Sequence, residues 1–132
     1  MGRGEEFIKK RKRILIIDDE PEFTEMVKLN LETTGWYEVK VENHSRHAIT
    51  TTLEYKPHLI LLDIIMPEVE GSDVFCDIRS HRATREIPVI FLTATVTKDE
   101  VNELDGMIGG HIFLAKPTAI NELIDCIQRQ LV

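Results

Sequence analysis

The segment "LILLDIIMPEVEG", residues 59–71, places a carboxylate directly after a continuous apolar run. Leu59 to Leu62 have the length and composition of a buried β-strand. Asp63 follows at once, and a charge beside a dry core is costly unless it has a partner. The segment therefore predicts a strand that ends at a polar site, and the partners of Asp63 must come from elsewhere in the chain.

Apolar runs of strand length alternate with helical patterns along the rest of the chain. Strands are predicted at 14–17, 37–41, 59–62, 89–92 and 112–115, and the second of these alternates like a half-exposed edge strand. The helix signals are Pro21 at a first helical position, Ser45 as a cap, Ser72 ahead of Val74, the capping box of Thr97 and Glu100, and the apolar stripe after Thr118. This βα alternation predicts one α/β domain whose parallel sheet is covered by helices on both faces.

Composition limits the classes of function. The net charge is −7, and because residues 1–13 carry +4, residues 14–132 carry −11. Such an acidic body is a poor partner for nucleic acid, and no apolar run is long enough to span a membrane, so we expect a cytoplasmic protein. Residues 1–12 are predicted to form a flexible basic arm, native or left over from cloning, and residues 13–132 the domain. Cys76 and Cys126 are expected to be buried thiols that do not pair, and the five histidines to be solvated.

Chemically compatible side chains follow four of the predicted strands. Asp18 and Asp19 follow the first strand, Asp63 the third, Thr93 ends the fourth, and Lys116 follows the fifth. Because parallel strands end at one edge of a sheet, these groups are expected to converge there. Carboxylates that crowd together repel each other, and Mg²⁺, which prefers oxygen ligands and often accompanies phosphate, would relieve the conflict.

A structural explanation exists for each of these residues taken singly. Aspartate is common in turns at strand ends, and the acidic run after the first strand also suits a helix N-terminus. A lone threonine or lysine at a strand end carries little information. The functional interpretation rests on four strand ends that carry compatible groups together.

The segments "ILIIDDEP", "LILLDIIMPEVEG", "PVIFLTA" and "FLAKP" resemble, in this order, the receiver domain of two-component response regulators. The resemblance covers about residues 13–131. It implies a flavodoxin-like (βα)5 fold with strand order 2-1-3-4-5. It also implies that Asp63 accepts a phosphoryl group, while Asp18, Asp19, Asp63 and the backbone carbonyl of Ile65 hold Mg²⁺, for which Mn²⁺ could substitute.

The same resemblance assigns roles to residues around the acceptor. Thr93 is expected to be a switch hydroxyl, and Phe113 the aromatic switch residue. Lys116 is expected to pair with the phosphoryl group, and Pro117 to follow a cis peptide bond. Gly71 is expected to close the loop after the acceptor. The sequence departs from the common pattern at Thr118, where the family often has phenylalanine.

The resemblance implies a signalling switch that is not an enzyme. The phosphoryl donor would be a sensor histidine kinase or a phosphotransfer protein. A downstream effector would recognise the surface of the fourth helix, fifth strand and fifth helix, while homodimerisation and further domains stay open. One alternative is an adaptor that binds partners without phosphorylation. Another is a Mg²⁺ phosphatase, which would need an acid two residues after its nucleophile, where this chain has Ile65.

Overall fold

The computed structural model describes residues 11–94, 112–116 and 119–131 of the 132-residue chain. Five parallel strands form one sheet in the order β2-β1-β3-β4-β5. The strands are β1 (Lys12–Ile17), β2 (Tyr37–Glu42), β3 (Leu59–Asp63), β4 (Val89–Thr93) and β5 (Ile112–Ala115). The predicted strand order is confirmed, and each predicted strand lies within one residue or two of the observed one.

Four helices are described: α1 (Pro21–Thr33), α2 (Ala48–Tyr55), α3 (Gly71–Ser80) and α4 (Ile120–Gln130). Pro21 begins α1 as expected, because its fixed backbone suits a first helical turn. The capping box of Thr97 and Glu100 lies outside the described residues, as does Thr118. The helix α4 is therefore the one that the sequence predicts as fifth. None of the described helices has the length and apolar character needed to cross a bilayer.

Successive side chains of the buried strands point to opposite faces of the sheet and so divide the core into two layers. Ile14 and Ile16 of β1 pack on one face of the sheet, with residues of α1 and α4. Leu15 and Ile17 pack on the other face, with residues of α2 and α3. Because helices cover both faces of the sheet, the inner strands β1, β3 and β4 contain continuous runs of apolar residues, whereas the edge strand β2 alternates.

The edge strand β2 is protected by side chains from neighbouring helices. The outward amide of Val39 donates a hydrogen bond to the Glu32 carboxylate of α1, at 3.0 Å. The hydroxyl of Tyr55, at the end of α2, donates to the Glu38 carboxylate at 2.8 Å. These contacts cover part of an edge that would otherwise offer unpaired backbone groups to another strand.

Three expectations from the sequence are wrong in detail. Ser45 does not cap α2: residues Ser45–His47 form a 3-10 turn, and the hydroxyl of Ser45 bonds to a different loop. Cys76 is exposed, because it lies on the outer side of α3, whereas Cys126 is buried; both thiols are free, as expected. His58 is half-buried instead of solvated.

His58 joins the start of β3 to β1 through its ring. Its Nδ1 accepts a hydrogen bond from the Arg13 amide at 2.9 Å, and its own amide donates to the Arg13 carbonyl at 2.8 Å. Burial, together with the charges of Arg13 and Lys12, lowers the pKa of His58. A ring nitrogen that accepts this bond must be unprotonated, so the neutral imidazole stabilises the fold.

We expect His58→Asn to flatten the pH dependence of stability. A histidine whose pKa is lowered by folding contributes stability above its ordinary pKa of about 6.5, and that stability is lost as the pH falls. Asparagine keeps an acceptor at the same place but does not titrate. Urea unfolding between about pH 7 and pH 5 should show a smaller loss for the variant than for the wild type. The exposed His47→Asn is the control; an unchanged slope in His58→Asn would contradict the prediction.

Candidate functional site

One buried ammonium group joins the acidic residues at the carboxyl edge of the sheet. Lys116, after β5, places its Nζ 2.8 Å from Asp18, 2.5 Å from Glu20 and 3.4 Å from Asp63. The side chains of Lys116, Asp18 and Asp63 are at most 6% exposed, while that of Glu20 is 58% exposed. The predicted convergence of Asp18, Asp63 and Lys116 is therefore present.

The sheet and α1 fix the path of the lysine. The Lys116 amide donates to the Thr93 carbonyl at 2.7 Å, which extends the pairing of β5 with β4 by one step. From there the side chain crosses the ends of the strands to β1 and β3. Its Nζ lies 4.9 Å from the centroid of the Phe23 ring, so the aromatic face adds a favourable contact with the cation.

Burial shifts the acid–base properties of the cluster. Desolvation, with the charge of Asp18 second, raises the pKa of Asp63 to about 7, although Lys116 acts in the opposite direction. Desolvation also raises the pKa of Asp18. Burial lowers the pKa of Lys116, but its hydrogen bonds to Asp18 and Glu20 outweigh that effect and leave the pKa above its ordinary value. The ammonium therefore stays charged, and a further positive charge at this site would favour ionised carboxylates.

Three carboxylates have the geometry of a candidate cation site. One oxygen from each of Asp18, Glu20 and Asp63 lies within 4.8 Å of the others. An all-oxygen, largely acidic donor set fits Mg²⁺ and fits softer metals poorly. Asp19, which the sequence analysis assigns to the metal, is half-buried and lies outside this group, beside a surface cleft that it lines with Glu20 and Phe23. Its role as a ligand stays a prediction.

The loop after β3 turns sharply over the carboxyl end of the strand. The Gly71 amide donates to the Ile64 carbonyl at 2.8 Å, which closes the loop. A Cβ atom at position 71 would lie 2.2 Å from the Asp63 carbonyl oxygen and 2.6 Å from the Ile64 Cα. The close approach of backbone to backbone thus explains the glycine. Ile65, between these points, is 73% exposed and donates its amide to the Asp63 carboxylate at 3.4 Å.

The residues assigned to switching lie on β4, which pairs with the acceptor strand β3, and on β5, one strand further out. Thr93 is buried at the end of β4. Phe113 on β5 is half-buried and stacks on Phe91, with ring centroids 5.3 Å apart. Phe91 in turn meets the edge of Phe75 at 5.1 Å. An aromatic chain thus extends from β5 to α3, while Pro117 lies outside the described residues.

Sequence reasoning missed a polar residue at the end of β2. The side-chain amide of Asn43 donates to the Asp18 carbonyl at 2.7 Å and to the Thr24 hydroxyl at 3.1 Å. Asn43 therefore holds the acidic loop after β1 against the start of α1. Its position just after a predicted strand is the available signal, since the other strand ends carry their polar groups at the same place.

Comparison with known proteins identifies the family. Residues 14–128 match the model of the "Response regulator receiver domain". The chain therefore belongs to the response regulator receiver family, and the resemblance inferred from sequence is confirmed.

Individual relatives agree with this assignment. The chain is 34% identical over 113 residues to RpaA of Synechocystis, a DNA-binding transcriptional regulator, covering 85% of the chain and 46% of that protein. It is 35% identical to the DNA-binding response regulator MtrA of Mycolicibacterium smegmatis, covering 92% and 51%. A crystal structure of a protein described as a response regulator of Chloroflexus aurantiacus has a TM-score of 0.81 at 28% identity, covering 92% and 98%. The chain spans about half the length of the curated relatives it matches.

Substitution of Gly71 tests the tight loop. We expect Gly71→Ala to lower the free energy of unfolding by roughly 2–3 kcal/mol, because the new methyl group meets backbone atoms that cannot move aside. Gly35→Ala is the matched control: Gly35 has φ +80° but nothing within 4 Å of its added Cβ, so only about 1 kcal/mol of backbone strain is expected. Urea unfolding gives both values, and equal losses would argue against the steric explanation.

Substitution of Asp63 tests the buried charge. A carboxyl group whose pKa is raised by folding binds more protons in the folded state, so wild-type stability falls as the pH rises from about 4 to about 7. Asp63→Asn lacks this titration. We expect the free energy of unfolding of Asp63→Asn, measured against that of the wild type with a chelator present, to rise by on the order of 2 kcal/mol from about pH 5 to pH 8.

The exposed Asp77 on α3 provides the matched control for this measurement, as Asp77→Asn. This variant should follow the wild type at both pH values. A constant difference between Asp63→Asn and the wild type would show that Asp63 titrates normally.

Proposed function

We propose that this receiver domain takes a phosphoryl group onto Asp63 from a phosphohistidine of a sensor kinase or phosphotransfer protein. The observation that carries the proposal is the buried Asp63 carboxylate, which lies 3.4 Å from the Lys116 ammonium and beside Asp18 at the carboxyl edge of the sheet. A charged pair is costly to bury, and this site keeps a nucleophilic oxygen and a cation together at the carboxyl edge of the sheet. Membership of the receiver family agrees with this use of the site.

The chemical step exchanges one bond to phosphorus for another. An Asp63 carboxylate oxygen attacks the phosphorus atom, and an acyl phosphate bond forms. The bond between phosphorus and the donor's imidazole nitrogen breaks. That nitrogen keeps the electron pair, and the ring carries one proton, already present on it or taken up from solvent, so the donor histidine leaves as a neutral imidazole. No oxidant or other reactant is needed.

The residues of the chain supply position and charge for this transfer. Asp63 is fixed at the end of β3, and hydrogen bonds to Asp18 and Glu20 hold the Lys116 ammonium within reach of an oxygen on the incoming group. Positioning and charge neutralisation are the main requirements of phosphoryl transfer. Mg²⁺ would be held by Asp18, Asp63 and either Asp19 or Glu20, together with the Ile65 carbonyl, and would neutralise phosphoryl oxygens.

Partner proteins would recognise the phosphorylated form through a structural change on the β4–β5 side of the site. A phosphoryl group on Asp63 favours an arrangement in which Thr93 and Lys116 move toward the new charge. Phe113, already stacked on Phe91, then turns further inward, and the population of an active surface rises. That surface comprises the predicted fourth helix, β5 and α4. A downstream effector, or a second copy of the chain, would recognise it.

The same geometry argues against a separate hydrolytic enzyme. A phosphatase with an aspartyl intermediate would need a second acid two residues after its nucleophile. That residue is Ile65, whose side chain is apolar and exposed. We therefore propose a phosphorylated signalling domain that contributes only to its own modification.

Phosphorylation with a small phosphodonor tests the function directly. With Mg²⁺ and acetyl phosphate, the intact protein should gain the mass of one phosphoryl group, as measured by mass spectrometry. Asp63→Asn should gain none, because an amide cannot form the acyl phosphate, whereas the exposed control Asp77→Asn should behave as the wild type. Absence of a mass gain in the wild type, together with intact folding, would favour an adaptor that works without phosphorylation.

A further inference from the structure

The connection between β2 and α2 is bonded to the loop that follows the acceptor. Ser45 is 4% exposed, although it stands in a surface turn. Its hydroxyl donates to the Pro67 carbonyl at 2.7 Å and accepts from the Val69 amide at 3.0 Å. The Ser45 side chain thus hydrogen-bonds to the first and last residues of the three-residue turn Pro67–Val69, which begins 22 residues further along the chain.

The turn that Ser45 holds is strained. Glu68, at its centre, has φ +73°, a left-handed value that non-glycine residues rarely adopt. The Val69 amide also donates to the Pro67 carbonyl at 2.9 Å, so the three residues form a tight turn of the γ class. Such a conformation persists only where neighbouring groups enforce it. The exposed Arg46–Glu68 ion pair, at 3.3 Å, adds a contact from the same segment.

The same connection also holds the loop on the other side of the site. Asn43 donates to the Asp18 carbonyl, as described above, and stands two residues before Ser45. Asn43 and Ser45 therefore bridge the acidic loop after β1 and the loop after β3. The first of these loops carries the Asp18 carboxylate and the second follows directly after Asp63, and oxygens of the two carboxylates lie within 4.8 Å of each other.

We propose that Ser45 is a positioning residue for the cation and phosphoryl site, an inference that rests on the function proposed above. By fixing the turn at Pro67–Val69, its hydroxyl sets the path of the backbone from Asp63 to Gly71. The backbone carbonyl of Ile65, which the family places among the Mg²⁺ ligands, lies on that path. The Ser45 hydroxyl bonds to Pro67 and Val69 and acts on the site through the loop.

Removal of the Ser45 hydroxyl separates a positioning role from a purely structural one. In Ser45→Ala the strained turn loses the bridge between its ends, and the cation site should lose its preformed shape. We expect the dissociation constant for Mg²⁺, measured by calorimetry on unphosphorylated protein, to rise about tenfold, as for other residues that support metal ligands indirectly. Hydrogen exchange at the Val69 amide should become faster.

Ser80 offers a matched control, because its hydroxyl also donates to a backbone carbonyl, that of Asp77 at 2.9 Å, but at the far end of α3. Ser80→Ala should leave the Mg²⁺ dissociation constant unchanged. Ser45→Cys has nearly the same size as the wild type but only a weak hydrogen-bonding thiol. It should weaken Mg²⁺ binding as well, which keeps the test decisive if Ser45→Ala does not fold.

Two negative outcomes are distinguishable. If wild-type protein binds Mg²⁺ and the Ser45 variants bind it equally well while unfolding more easily, Ser45 is structural and the inference is overturned. If the wild type itself binds no Mg²⁺, the proposed function fails at its cation site, and the positioning role fails with it.

Discussion

The site depends on one buried ammonium group that is shared by three carboxylates. Asp18 and Asp63 could not both remain in a nearly dry environment as anions without Lys116, because each would lack a compensating charge. The lysine reaches them only because the parallel sheet brings the ends of β1, β3 and β5 to one edge. The cluster nevertheless keeps a net negative charge, since three carboxylates surround one ammonium group. A divalent cation would restore that balance, since its two positive charges match the two negative charges left over.

The loops around the cluster owe their shape to short-range geometry. Gly71 permits the loop after β3 to return within van der Waals distance of the strand it leaves. Ser45 and Asn43 then fix that loop and the acidic one from a third segment. Carboxylates that repel each other are thus held by backbone contacts that do not themselves depend on charge. The rigid frame explains how a small domain can hold acids close together before any ligand is bound.

Periodicity was sufficient to predict an α/β domain with a parallel sheet, the family resemblance supplied its strand order, and the strand ends indicated the side chains that cluster in the structure. Apolar runs and helical stripes identify the five parallel strands, and Asp18, Asp63, Thr93 and Lys116 each stand directly at a strand end. Contacts between distant loops leave no such periodic signal, so the sequence pattern does not indicate the role of Asn43 and predicts Ser45 as a helix cap. The choice between Asp19 and Glu20 depends on side-chain direction, and the exposure of Cys76 depends on the rotation of α3. Neither is encoded in a local pattern.

The protected edge of the sheet bears on the behaviour of the protein at high concentration. Val39 already uses its outward amide within the molecule, through Glu32 of α1. A second polypeptide that approached β2 would have to displace a charged internal acceptor before it could extend the sheet. Fibril growth and strand exchange at this edge are therefore disfavoured in the native state, because they would first cost the hydrogen bond between Val39 and Glu32.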